Sequence, residues 1–142
     1  MGSNELGQSD VPSGFVANIL MISLNARHTC AISSRMLACW GNNNYNHLVV
    51  PSHHRTASWV STNRSHTCAL KAGELACWGS DSFGAVTLPQ GLQGDRNVKA
   101  VISGLMSTCA IDAHNDLTCW GNEKGILAPP ELTKDVKLVT SY

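Results

Sequence analysis

The six cysteines are the residues best equipped for chemistry in this 142-residue chain. They fall in pairs, Cys30 with Cys39, Cys68 with Cys77 and Cys109 with Cys119, inside the related stretches "HTCAISSRMLACWG", "HTCALKAGELACWG" and "STCAIDAHNDLTCWG". Thiols can ligate zinc, act as nucleophiles or join as disulfides. His28 and His66 each precede a cysteine by two residues and could supply a ligand or a base. The spacing is wrong for structural zinc, which favours two to four residues between cysteines. Catalysis fits no better, because a catalytic pair would not be stamped once per repeat, and the third copy carries Ser107 in place of histidine. Disulfides remain, with six buried thiols packing as small hydrophobes as the alternative use.

Short runs of Val, Ile, Thr and Trp between turn residues indicate strands, and one hairpin register accounts for all three copies. A two-residue turn at Ser34-Arg35 sets Ala31 opposite Ala38 and Cys30 opposite Cys39. A turn at Ala72-Gly73 sets Lys71 opposite Glu74, Leu70 opposite Leu75 and Cys68 opposite Cys77. The third copy is one residue longer, and a loop at Ala113-His114-Asn115 restores the register and pairs Cys109 with Cys119. Directly opposed residues at a non-hydrogen-bonded site lie near the short limit for a disulfide. The register therefore predicts three intra-hairpin bridges.

The hairpins belong to a larger repeat of about 39 residues. After each Trp-Gly comes a polar stretch ending in proline: "GNNNYNHLVVP", "GSDSFGAVTLP" and "GNEKGILAPP". The opening "GSNELGQSDVP" is the same stretch, in phase. A β-branched segment follows each proline, then Asn25, Asn63 or Gly104 ahead of the hairpin. Asn and Gly tolerate positive φ, so a left-handed turn is expected there. The C-terminal "DVKLVTSY" matches "NVKAVISG" in phase. The chain reads as a single repeat domain over 1–142, divided near 1–39, 40–77 and 78–119 with a partial repeat at 120–142.

At this point the motifs are recognisable. "RHTCAI…LACWGNN", "SHTCAL…GELACWGS" and "GSNELGQ" resemble repeats of the regulator of chromosome condensation family, in a form rich in cysteine. The resemblance covers essentially the whole chain. It implies an all-β fold, a partial and open β-propeller of three antiparallel hairpin blades plus terminal half-blades. An open arc would expose apolar blade faces at its ends. Family members include a guanine-nucleotide exchange factor and a plant photoreceptor. The photoreceptor's light-absorbing Trp position is here Ala26 or Arg64, so Trp40, Trp78 and Trp120 read as packing residues. The exchange factor's acting loop has no locatable counterpart.

The remaining polar residues point away from enzymes and cofactors. His28 and His66 recur in phase and read as hydrogen-bonding strand residues, while His47, His53, His54 and His114 fall in loops without carboxylates at telling spacings. Asp112 and Asp116 flank a hairpin tip and read as a solvated turn. "QGLQGDRN" has two glycines but no strand-to-helix setting for phosphate. Asn63-Arg64-Ser65 has the form of a glycosylation sequon. With 10 basic and 10 acidic residues, nothing drives nucleic-acid or membrane-surface binding. No apolar run is long enough to span a bilayer, and the polar N-terminus is not a signal peptide. Paired cysteines would nonetheless favour an extracellular setting.

Protein binding is the expectation that survives. Repeat proteins meet partners through segments that vary between units. Here these are "SHHRTASW" and "QGLQGDRN". Trp59, Arg55 and Arg96 are the candidate anchors, followed by Tyr45 and Phe83 on the post-Trp stretch. The alternative is self-assembly, with a second copy as partner. For Trp59 itself the alternative to an anchor is packing into its own blade.

Overall fold

The computed structural model describes residues 4–34, 36–94 and 97–121. Among the described residues nine strands form: β1 (Ile19–Leu24), β2 (His28–Ser33), β3 (Leu37–Gly41), β4 (Trp59–Thr62), β5 (His66–Lys71), β6 (Glu74–Gly79), β7 (Val98–Ser103), β8 (Ser107–Asp112) and β9 (Leu117–Gly121). They form three separate antiparallel sheets, each with its strands in chain order. Each expected hairpin thus gains a third strand, drawn from the β-branched segment that precedes it. The expected C-terminal partial repeat lies outside the described residues.

The hairpin register is the expected one, with Cys30 opposite Cys39, Cys68 opposite Cys77 and Cys109 opposite Cys119. Disulfides join all three pairs across Cα separations of 4.0, 4.1 and 4.0 Å. In the second hairpin Ala72 and Gly73 both take positive φ, 51° and 82°, as a two-residue type I′ turn requires. In the third, Asn115 at φ 70° closes the longer loop. Asp112 braces that loop by accepting hydrogen bonds from the backbone N–H groups of His114 and Asp116.

Each proline before a sheet opens a single 3-10 turn, at Ser13–Phe15, Ser52–His54 and Gln90–Leu92. The turn buries one side chain, Phe15, His54 or Leu92. The recurrent Trp-Gly has a steric cause. Gly41, Gly79 and Gly121 adopt φ of 111°, 114° and 94°, and a Cβ there would lie 2.6, 2.6 and 2.7 Å from the carbonyl oxygens of Arg27, Ser65 and Met106. Only glycine fits so close to the neighbouring strand's backbone.

The core lies between sheets. Cys30, Ile32, Leu37, Val60 and Trp78 pack at the first joint. Leu70, Leu75, Val101 and Trp120 pack at the second, with Trp59 and Leu88 against them. The first strand of the middle sheet, β4, sends Val60 into the first joint and Trp59 into the second, the period-2 geometry of a strand.

Candidate functional site

The two histidines that precede cysteines are joint residues. Asn25 accepts hydrogen bonds from the backbone N–H of Arg27 and His28 through its side-chain oxygen, at 2.8 and 3.2 Å. Its amide nitrogen reaches His28 Nδ1 at 3.1 Å and donates to the Asn63 carbonyl of the next sheet at 2.7 Å. His28 Nε2 then meets Thr67 Oγ1, also in the next sheet, at 3.0 Å. The arrangement recurs one sheet on. Asn63 binds Ser65 N, His66 N and the Gly104 carbonyl, and His66 Nε2 meets Thr108 Oγ1 at 2.9 Å.

This corrects the expected left-handed turn. Neither Asn25, Asn63 nor Gly104 is among the residues with positive φ. Asparagine is used for its side chain, which accepts from the turn's own N–H groups and donates across the joint. Asn63 is also 7% exposed, so the sequon's amide is enclosed by the fold rather than offered to a glycan.

Burial determines the protonation of these imidazoles. Burial, helped by the charges of His47 and His66, pushes the His28 pKa down to about 3. Burial pushes His66 down to about 4 against the attraction of Asp81. His47 is lowered as well: burial is the main cause, outweighing the influence of the nearby Asn42 backbone, and the charge of Arg27 adds to it. The His47 ring is wholly buried and lies 4.2 Å from the His28 ring. Neutral His28 and His66 suit the network, because each Nδ1 accepts from an asparagine and each Nε2–H is free to donate to a threonine. These are structural histidines.

His53 and His54 also have partners that no local spacing displays. His53 Nε2 lies 3.3 Å from the Glu74 carboxylate, and His54 Nε2 lies 3.2 Å from the Glu74 carbonyl oxygen. His114 lies 3.7 Å from Asp112. No cluster of three His, Cys, Asp or Glu among the described residues could hold a metal ion.

The post-Trp stretches form the second recurring feature. Asn4, Asn43 and Asp81 begin tight turns in which their carbonyls accept from the N–H of Gly7, Asn46 and Gly84. Those three residues take φ of 71°, 58° and 68°. The side-chain oxygens of Asn4, Asn43 and Asp81 accept from the N–H of Ser9, Leu48 and Val86. Partial burial opposes ionisation of Asp81, but the Thr87 hydroxyl and the Val86 and Thr87 N–H groups outweigh it and hold its pKa low. The turn then leads into the joint. The carbonyl of His47 accepts from Trp78 Nε1 and Thr67 Oγ1, and that of Ala85 from Trp120 Nε1 and Thr108 Oγ1.

Such a turn presents its third residue outward. That residue is Leu6, Tyr45 and Phe83 in successive repeats, and each is 43% exposed. Leu105 and Met106, in the turn before β8, are exposed at the same end of the sheets. Sequence reasoning named Tyr45 and Phe83 and missed Leu6. Its signal was the phase match of "GSNELGQ" with "GNNNYNH" and "GSDSFGA".

The other candidates lie elsewhere. Arg55 is exposed at the opposite, hairpin-tip end, where its carbonyl accepts from the N–H of Leu37. Trp59 is half-buried at the second joint, and its indole N–H donates to the Val101 carbonyl of the third sheet at 2.8 Å. Its uniqueness to one repeat reflects the pairing of those two sheets. Arg96 lies outside the described residues.

No protein-family model and no curated protein matches the chain. Solved structures do. Prp20p from Saccharomyces cerevisiae is 19% identical with a TM-score of 0.65, over 80% of this chain and 33% of its own. The ectodomain of the Physcomitrella patens receptor kinase CR4 is 28% identical with a TM-score of 0.54, over 75% and 30%. The CRINKLY WD40 ectodomain of the Arabidopsis thaliana receptor kinase ACR4 is 23% identical with a TM-score of 0.56, over 77% and 38%. The chain spans about a third of the length of each of these. Its three sheets are accordingly blades of a β-propeller, arranged as an open arc.

Proposed function

We propose that this chain is a non-catalytic protein-binding module of the regulator of chromosome condensation repeat type, in its cysteine-rich form. It binds a partner through the rim formed by its post-Trp turns. The observation that carries the reading is the row Leu6, Tyr45 and Phe83, one apolar side chain per repeat, equally exposed on a braced turn. Side chains held outward on rigid turns lose little entropy on binding, and aromatic residues dominate binding hot spots. The yeast propeller offers a parallel, since Prp20p binds Gsp1p and histones. The disulfides suit an oxidising compartment.

Photocrosslinking tests the rim. A benzophenone amino acid placed at Tyr45 or Phe83 should yield the same adduct in an extract of the native source. Placed at Lys71, on the hairpin-tip end, it should yield none. Excess protein carrying Tyr45→Ser and Phe83→Ser should fail to compete. Labelling that favours Lys71, or that the doubly substituted protein competes away, would remove the rim from the reading.

A further inference from the structure

The three post-Trp turns differ at one buried place. Gln8, His47 and Ala85 each follow the exposed rim residue by two positions. A Cβ added to Gly41, Gly79 or Gly121 would fall 3.1, 3.1 and 3.2 Å from these residues in turn, so they occupy equivalent sites. Their backbones serve alike. The Gln8 carbonyl accepts from Thr29 Oγ1, that of His47 from Thr67 Oγ1 and Trp78 Nε1, and that of Ala85 from Thr108 Oγ1 and Trp120 Nε1. A methyl side chain is therefore enough to seat such a turn, and the imidazole of His47 is an addition to it.

The ring is fully buried, and neither Nδ1 nor Nε2 makes a hydrogen bond among the described residues. It lies 4.2 Å from the His28 ring and 6.0 Å from the Tyr45 ring. The charged and titratable groups around it are Arg27 from the turn before β2, His28 on β2, Tyr45 on its own turn and, through His28, His66 on β5. Arg27 repels a proton on His47, and a charge on either stacked ring repels a charge on the other. The nearby Asn42 backbone favours the proton, but burial outweighs it. Asp81 acts on His66 and not on His47. An imidazole so placed gains a stable charge only by reaching water.

The route to water runs through the rim. Tyr45 stands two residues before His47 on the same tight turn and is exposed. The second joint supplies the contrast, because its turn carries Phe83 outward and uncharged Ala85 inward. Each joint has one clasp histidine, His28 or His66, and the first alone of these two adds another ring beneath its rim residue.

We infer that His47 makes the Tyr45 turn an acid-released part of the rim: when its ring is protonated, the 43–48 turn leaves the first joint and carries Tyr45 with it, while the Phe83 turn stays seated over Ala85. Histidine is the side chain suited to such a switch, since a small environmental change moves its charge across the physiological range. Release also takes the His47 carbonyl away from Trp78 and Thr67. The consequence for binding rests on the rim reading above: in acid the rim loses one aromatic contact and keeps the other.

Two buried indoles report the event without any partner. Trp78 Nε1 donates to the His47 carbonyl at 2.9 Å and Trp120 Nε1 to the Ala85 carbonyl at 3.0 Å. Hydrogen exchange of these two protons, read by NMR on the full chain, compares the joints directly. The clasp histidines act equally on both, because each stays neutral when seated at about pH 5.5. A further ring that is neutral when seated and titrates near 6.5 when released favours release about tenfold more at about pH 5.5 than at about 7.5. Trp78 exchange should therefore gain about tenfold on Trp120 exchange over that interval. His47→Ala, which repeats Ala85, should abolish the difference, and so should His47→Gln, which repeats Gln8. Indoles that keep pace in the wild type, or a difference that survives both substitutions, would overturn the inference. With the crosslinker in place, the Tyr45 adduct should fade at about pH 5.5 while the Phe83 adduct persists. Absence of both adducts at about pH 7.5 as well would remove the rim and leave the switch to the indoles.

Discussion

Acidification should loosen the joints between blades, and the size of the effect follows from the two clasp histidines. His28 and His66 have pKa values of about 3 and about 4 in the fold, against 6.5 when free. Below pH 6.5 the unfolded chain takes up protons at both rings and the folded chain does not. Stability is therefore complete above 6.5 and falls as pH drops, until the folded rings themselves titrate between 4 and 3. Each pH unit below 6.5 costs about 1.4 kcal/mol per ring. At about pH 5 the two together cost on the order of 4 kcal/mol, a large share of the 5–15 kcal/mol typical of a domain. His47 acts in the same direction. Asp81 and Asp112 do not confuse this window, because their lowered pKa values place any loss below 3.8. The local cause is definite: a proton on Nδ1 would point at an asparagine N–H that already donates there. Urea unfolding followed by tryptophan fluorescence at about pH 7.5, 6 and 5 measures the effect. A midpoint that does not move between 7.5 and 5 would refute the assignment of neutral, buried clasp histidines.

Three further outcomes are expected. Native protein should resist alkylation until it is reduced, and loss of any one disulfide should cost about 2–3 kcal/mol, since each closes a loop only 9 or 10 residues apart in sequence; mass spectrometry and thermal melts measure both. Gly79→Ala should destabilise by about 3 kcal/mol or more, because the new Cβ falls 2.6 Å from the Ser65 carbonyl, whereas Gly91→Ala, with open space around it, should be near neutral in the same melts. Trp59→Phe should cost about 1–2 kcal/mol in urea unfolding, because it removes the N–H that satisfies the Val101 carbonyl.

Local pairing was legible because a hairpin register involves few residues and many simultaneous matches. Cys30 with Cys39, Lys71 with Glu74 and the extra residue absorbed at 113–115 all follow from strand periodicity and turn length. What the sequence did not display were contacts between repeats. Asn25 and Asn63 carry the right residue type for two different reasons, and only the neighbouring blade tells the amide donor from the left-handed turn. Trp59 looks like a loose anchor until the third blade supplies Val101 beneath it. His47 sits in a polar loop of the sequence, yet the fold stacks it on His28.

The sequence by itself thus determined the hairpin strands, their register and the pairing of the six cysteines, because those depend on side-chain alternation and turn geometry within a few residues of each turn. The tertiary structure decided which polar side chains clasp one blade to the next and which apolar residues remain on the rim. Those outcomes depend on how whole sheets face one another, and no spacing within a repeat encodes the neighbour that a side chain will meet.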